Sequence, residues 1–155
     1  MPRIAEVKAY LGAHDLEFWH YSQPTPTCPL AAVAVGCTVA EIAKTLLFLV
    51  GGRPVAVVTC GDRKVNSSRL KQASGLSGKV KLPSAEEVLT HTGYRPGGVC
   101  PFLLPSRLPV LLDFSLRRFP RVYAAGGDDH SAVPVTWSQL LQLTGGQPAE
   151  VCDSL

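Results

Sequence analysis

The chain has 155 residues, 46% of them hydrophobic and 17% charged, with a net charge of +3. That size suits one domain around one core, and that hydrophobic content excludes a disordered chain. No apolar run reaches the roughly 18 residues of a membrane span, because Gly51-Gly52-Arg53-Pro54 interrupts the strongest one.

No secretory leader pattern follows the first methionine, so the cytoplasm is the expected location. Residues 3–13 carry Ile4, Val7, Ala9, Tyr10 and Leu11 near helical spacing, with Gly12 as the stop, and predict an amphipathic helix. Residues 16–21 alternate as a short strand. Gln23-Pro24-Thr25-Pro26-Thr27 is extended, since each proline keeps its predecessor out of helix. Residues 28–35 read as a small-residue helix ended by Gly36, and Thr38 with Glu41 forms a capping box for another. Two strong strands, 44–50 and 54–59, join through a Gly-Gly-Arg turn as a hairpin. Asn66 or Ser67 caps a helix through Ala73 that Gly75 closes, and Ser84 with Glu87 caps the next, to about His91. A Gly/Pro-rich loop covers 94–102. Strands are predicted at 109–113, 121–124 and 133–135. Thr136 starts a last helix to Leu143, which Gly145-Gly146 stops. Short strands mixed irregularly with short helices, a hairpin among them, predict an α+β domain with a mixed sheet and not a regular βαβ array.

Lys44 is the residue that stands out. It is a lone cation at the mouth of the apolar run Leu46-Leu47-Phe48-Leu49-Val50. An unpaired buried ammonium is costly, so such a lysine either snorkels into water or faces an anion or developing negative charge across a cleft. The local pattern leaves both open. Gly97-Gly98, inside a segment rich in glycine, proline and aromatic residues, permits close backbone approach and a row of free N–H donors. Gly126-Gly127 follows a strand and reads either as a turn or as a second backbone wall. Asp128, Asp129, His130 and Ser131 adjoin it, but sequence neighbours rarely converge on one proton path. Cys100 has no assignable histidine partner and reads as a pocket-wall or buried thiol. Five cysteines without a CxxC pair and four scattered histidines argue for free thiols and against a zinc site. Residues 63–85 hold Arg63, Lys64, Arg69, Lys71, Lys79 and Lys81 with no carboxylate, a stripe suited to a phosphate backbone or simply to solvent.

Taken in order, several segments resemble the YbaK/prolyl-tRNA-synthetase-associated family of aminoacyl-tRNA editing domains. They are Pro24-Thr25-Pro26-Thr27, Glu41-Ile42-Ala43-Lys44-Thr45-Leu46, Gly61-Asp62-Arg63-Lys64-Val65-Asn66, residues 89–101, and Val122-Tyr123-Ala124-Ala125-Gly126-Gly127. The resemblance covers nearly all of residues 3–150. It implies one compact α+β domain over 1–155, with a mixed, partly closed β-sheet flanked by short helices, and with no cofactor or metal. It implies hydrolysis, in trans, of the ester joining a wrong amino acid to tRNA. The amino acid would be small, such as Ala, Ser, Thr or Cys, with tRNA-Pro a candidate carrier. The family's lysine falls on Lys44, which by resemblance places the 3′-terminal adenosine, and its glycine loop on Gly97 and Gly98. Gly126 and Gly127 would wall the aminoacyl pocket, with Thr27 and Asn66 at the rim. Thr45, Cys100 and Pro101 complete the candidate substrate-binding set, and Arg63, Lys64, Arg69 and Lys71 the tRNA-binding set. The implied partners are the acceptor end of mischarged tRNA and, as a candidate, an aminoacyl-tRNA synthetase; no membrane is involved. The alternative is a non-catalytic tRNA- or synthetase-binding module of the same fold. Cys100 and Phe102 replace residues common around the family's loop proline, and Leu30 replaces a common acidic one, so amino-acid specificity is left open.

Overall fold

Caps and breakers set the element boundaries. The computed structural model describes residues 4–153. In chain order it contains α1 (Ile4–Ala13), β1 (Trp19–His20), α2 (Cys28–Val35), β2 (Ile42–Val50), β3 (Arg53–Cys60), α3 (Ser67–Ser74) and β4 (Val80–Lys81). Then come α4 (Ala85–Thr92), β5 (Val110–Asp113), β6 (Val122–Ala124), β7 (Ser131–Val135), α5 (Trp137–Thr144) and β8 (Gln147–Ala149). Thr27, Asn66, Ser84 and Thr136 accept the first free N–H groups of α2, α3, α4 and α5, and a left-handed glycine ends each of these helices. Residue 3 of the expected first helix lies outside the described residues.

Some boundaries differ from the sequence expectation. The strand expected at 16–21 shrinks to Trp19–His20, and α1 runs past Gly12 to Ala13. The pieces β4 and β8 and a 3-10 turn at Phe114–Arg118 are additional, since elements of two to five residues carry too little periodicity to read. Pro148 sits in β8 at an outer edge of the sheet, where a missing N–H costs no ladder bond. Most relevant to the site, β2 begins at Ile42. Lys44 is therefore inside the strand and not at its mouth.

The sheet is mixed, in the order β1-β7-β6-β2-β3-β5-β8, with β4 also on β2. The β2–β3 hairpin is antiparallel, while β6 on β2, β5 on β3 and β8 on β5 are parallel. One face carries Ala43, Val58, Leu112 and Val133 against Val7 and Leu11 of α1 and Leu140 of α5. Leu47 and Ala56 pack with Val88 of α4. The opposite face sets Phe48, Val50, Val55 and Val57 against Leu70 of α3, and Ile42 and Tyr123 against Ala31 and Ala32 of α2. Covering both faces demands that β2 and β3 be apolar almost throughout, as they are.

Candidate active site

A cavity of about 410 Å³ opens beside β2, between the points where β6 and β4 pair with that strand. Its walls come from Thr25–Cys28 at the start of α2, from Ile42–Leu47, from Leu82 and Pro83 after β4, from Pro96, Gly97 and Val99, and from β6 and β7. Most of these groups are apolar or small. Among the described lining residues there is no carboxylate and no histidine; the polar groups are Lys44, hydroxyls, the Cys28 thiol and the backbone. Burial pushes the Cys28 thiol up, against the opposing pull of Lys44.

Lys44 escapes its apolar strand by reaching sideways: Nζ donates to the Arg63 C=O at 2.6 Å. An ammonium has three donors, so this bond leaves others for a ligand. The Arg63 turn is itself anchored. The Arg63 guanidinium donates to the Asp153 C=O, the Asp153 N–H returns to the Lys64 C=O at 2.8 Å, and Asn66 Nδ2 donates to Asp153 Oδ1 at 2.9 Å. One layer deeper, the buried Asp113 carboxylate accepts from the Val151 N–H at 3.0 Å and the Ser115 N–H at 3.1 Å, and from Thr59 Oγ1 at 3.2 Å. The C-terminal segment thus locates the carbonyl that locates Lys44.

Of the candidates read from sequence, Lys44, Thr27, Thr45 and Gly97 line the cavity. Thr45 is 8% exposed and its Oγ1 has no hydrogen-bond partner. Gly97 takes φ +89, where a side chain would be strained and would also press on Pro26. Gly98 is buried behind it. A Cβ there would stand 2.8 Å from Asp128 Cα, so Gly98 lets the loop 94–102 close onto the 126–129 turn. Gly127 serves the same closure, packed on Tyr94, while Gly126 makes room for the Phe18 ring; neither lines the cavity. Asn66 caps α3 and binds Asp153, away from the cavity wall. Pro101 borders a separate hollow of about 220 Å³ near Tyr10 and Leu143. Cys100 is fully buried, and burial pushes its thiol up to about 12. Ser131 Oγ accepts from the Gly126 N–H at 2.9 Å, while His130 pairs with Asp129 at 2.7 Å, so these neighbours form no triad.

The basic candidates divide. Arg69 reaches Glu150 Oε1 at 3.1 Å and the Cys152 C=O at 2.7 Å, and Arg63 holds Asp153, so both guanidinium groups tie down the C-terminal segment. Lys64 is exposed and follows Arg63, the anchor of Lys44, while Lys71 in α3 is half-buried. Sequence reasoning missed Tyr123, Ala132, Val88 and Leu82 as wall residues. The first three read as ordinary core positions, and only the exposure of Leu82, at 79%, marks it as unusual. At the rim, Arg121 lies over both Trp19 and Tyr123, 5.6 and 5.3 Å from the ring centres. Leu30, at the family's acidic position, is exposed and does not line the cavity.

Comparison with known proteins gives one consistent result. The profile of the aminoacyl-tRNA editing domain matches residues 22–143. A solved structure provisionally named a trans-editing enzyme for prolyl tRNA synthetase superposes with a TM-score of 0.87 at 30% identity, covering 99% of each chain. The uncharacterised YwhH protein of Bacillus subtilis is 35% identical over 80% of this chain and 78% of its own. An Enterococcus faecalis protein provisionally named a Cys-tRNA(Pro)/Cys-tRNA(Cys) deacylase is 28% identical over 77% of this chain and 73% of its own. The proline–tRNA ligase of Bacillus licheniformis matches at 33% identity over 96% of this chain, which corresponds to 28% of the ligase.

Proposed function

The chain belongs to the aminoacyl-tRNA editing domain family, and from that premise we propose that it hydrolyses, in trans, the ester of a small amino acid mischarged on tRNA. One observation carries this reading: Thr27, the neighbours Lys44 and Thr45, and Gly97, from three separate segments of the chain, border a single cavity whose remaining walls are mostly apolar. An aminoacyl ester is already activated, so a positioned water, a cation and fixed donors are sufficient machinery. The absence of carboxylate and histidine from the described walls is compatible with proton transfer by the substrate's own hydroxyl or amino group. Lys44 holds the 3′-terminal ribose or the ester oxygen through the donors that Arg63 leaves free. The walls at Ala31, Ala43, Val88, Val99 and Ala132 are apolar and offer a side chain van der Waals contact without charge, which supports an uncharged amino acid. Lys64 and Lys71 meet acceptor-stem phosphates, and the Trp19–Arg121–Tyr123 stack offers a surface on which a base of the single-stranded end can lie.

The test is deacylation of tRNAs mischarged with Ala, Ser, Thr or Cys, tRNA-Pro among them, by the wild-type protein and Lys44→Ala. At least one ester is cleaved, and Lys44→Ala loses about 100-fold or more in rate, the scale set by a single transition-state donor. Cleavage at equal rates by the two proteins would remove Lys44 from the mechanism, whereas binding of tRNA without cleavage of any ester would favour the non-catalytic binding module.

A further inference from the structure

Strand β2 has an edge that no strand covers among the described residues. β3 pairs along one side from Ala43 to Val50. On the other side β6 pairs only with Ile42 and Ala43, and β4 only with Leu49 and Val50. Two backbone bonds fix the orientation of the main chain between them. The Gly61 N–H donates to the Ile42 C=O at 2.7 Å, so Ile42 points toward β3. The Ala56 N–H donates to the Pro109 C=O at 2.9 Å, so Ala56 points away from β2 while Val55, Val57 and Thr59 point toward it. With a period of two, Lys44, Leu46 and Phe48 bond to β3, whereas Thr45 and Leu47 turn their N–H and C=O groups outward. The outward direction is the cavity. Six consecutive residues, Ile42 to Leu47, line it. Side chains from both faces of a strand border one space only if that space abuts the strand's edge. Thr45 supplies a second, independent sign of a missing ligand, since its buried Oγ1 has no partner.

We propose that this open edge is the aminoacyl subsite, and that the ligand's N–Cα–C=O unit adds to the sheet as a one-residue strand. Its ammonium donates to the Thr45 C=O, and its ester carbonyl accepts from the Thr45 or the Leu47 N–H. This rests on the deacylase reading and deepens it. The class of ligand is an ester of an α-amino acid with a free amino group. Main-chain groups read what all such esters share, as in recognition by strand addition. Discrimination between amino acids is then left to Thr45 Oγ1 and the apolar walls. An N–H aimed at the ester carbonyl also stands where charge develops during attack by water.

Amide hydrogen exchange followed by NMR tests the proposal, with the alanyl amide of 3′-amino-3′-deoxyadenosine as the probe. In the free protein the Thr45 and Leu47 amides exchange fast, and those of Lys44 and Leu46, bonded to β3, exchange slowly. At saturating probe at least one of Thr45 and Leu47 slows by about tenfold or more, the effect of one added hydrogen bond. The propionyl amide, which lacks the amino group, binds about tenfold more weakly. If the probe binds and shifts the cavity resonances while both amides keep their fast exchange, the strand-edge subsite is wrong and the deacylase reading stands. If the probe does not bind at all, the subsite is overturned whatever the deacylation panel gives, because an edge that holds an N–Cα–C=O unit holds the amide as it holds the ester.

Discussion

Replacing Thr45 by valine separates stability from function at one atom. The swap keeps the β-branched shape that suits β2 and exchanges Oγ1 for a methyl group. In the ligand-free protein Oγ1 is buried without a partner. A buried hydroxyl left unsatisfied costs about 1–3 kcal/mol, and the cavity that Thr45 borders lets solvent relieve part of that, so the lower end applies. Thr45→Val therefore gains about 1 kcal/mol in unfolding free energy, which for a domain of this size raises Tm by about 2–4 °C. With substrate bound the sign reverses. The hydroxyl then has a partner, and its loss lowers kcat/KM by about five- to tenfold. Thermal unfolding by circular dichroism and deacylation under single-turnover conditions measure the two effects on the same preparation. A fall in Tm together with unchanged kcat/KM would show that Oγ1 is bonded within the protein and plays no part in the site.

Gly98→Ala brings a Cβ within 2.8 Å of Asp128 Cα and forces the two loops apart, for a loss of about 1–3 kcal/mol. Gly12→Ala, in helix α1 with nothing within 4 Å, gains up to about 1 kcal/mol, and chemical denaturation compares the pair. Arg69→Glu lowers Tm and weakens tRNA binding, because it also breaks the contacts to Glu150 and the Cys152 C=O. Lys71→Glu weakens binding with Tm unchanged, and binding assays across a salt series read both. The Cys100 thiol is held up at about 12, above its ordinary value near 8.5, so the unfolded chain releases this proton first as pH rises. The stability it contributes is complete below about pH 8.5 and is lost progressively as pH climbs toward 12. Urea unfolding at pH 7.5 and at pH 10 detects the decline, and Cys100→Ala makes it shallower.

The sequence by itself determined the elements whose causes are local. Apolar runs made β2 and β3, a Gly-Gly-Arg turn made them a hairpin, and Thr27, Asn66, Ser84 and Thr136 capped the helices where they stand. It also singled out Lys44, because a lone cation in such a run needs a reason that can be seen without coordinates. The tertiary structure decided what each candidate does. Asn66, Arg63 and Arg69 carry the chemistry of a binding stripe, yet the C-terminal segment folds back onto them and takes up much of their hydrogen bonding. Gly98, Gly126 and Gly127 look like cavity walls, yet Gly98 and Gly127 are needed where one loop closes on another, and Gly126 where the Phe18 ring packs. The open edge of β2 has no signature in the sequence at all. It exists because β6 and β4 each cover one end of the same strand, and the residue types of Thr45 and Leu47 say nothing about which way their main-chain groups point or what lies across from them.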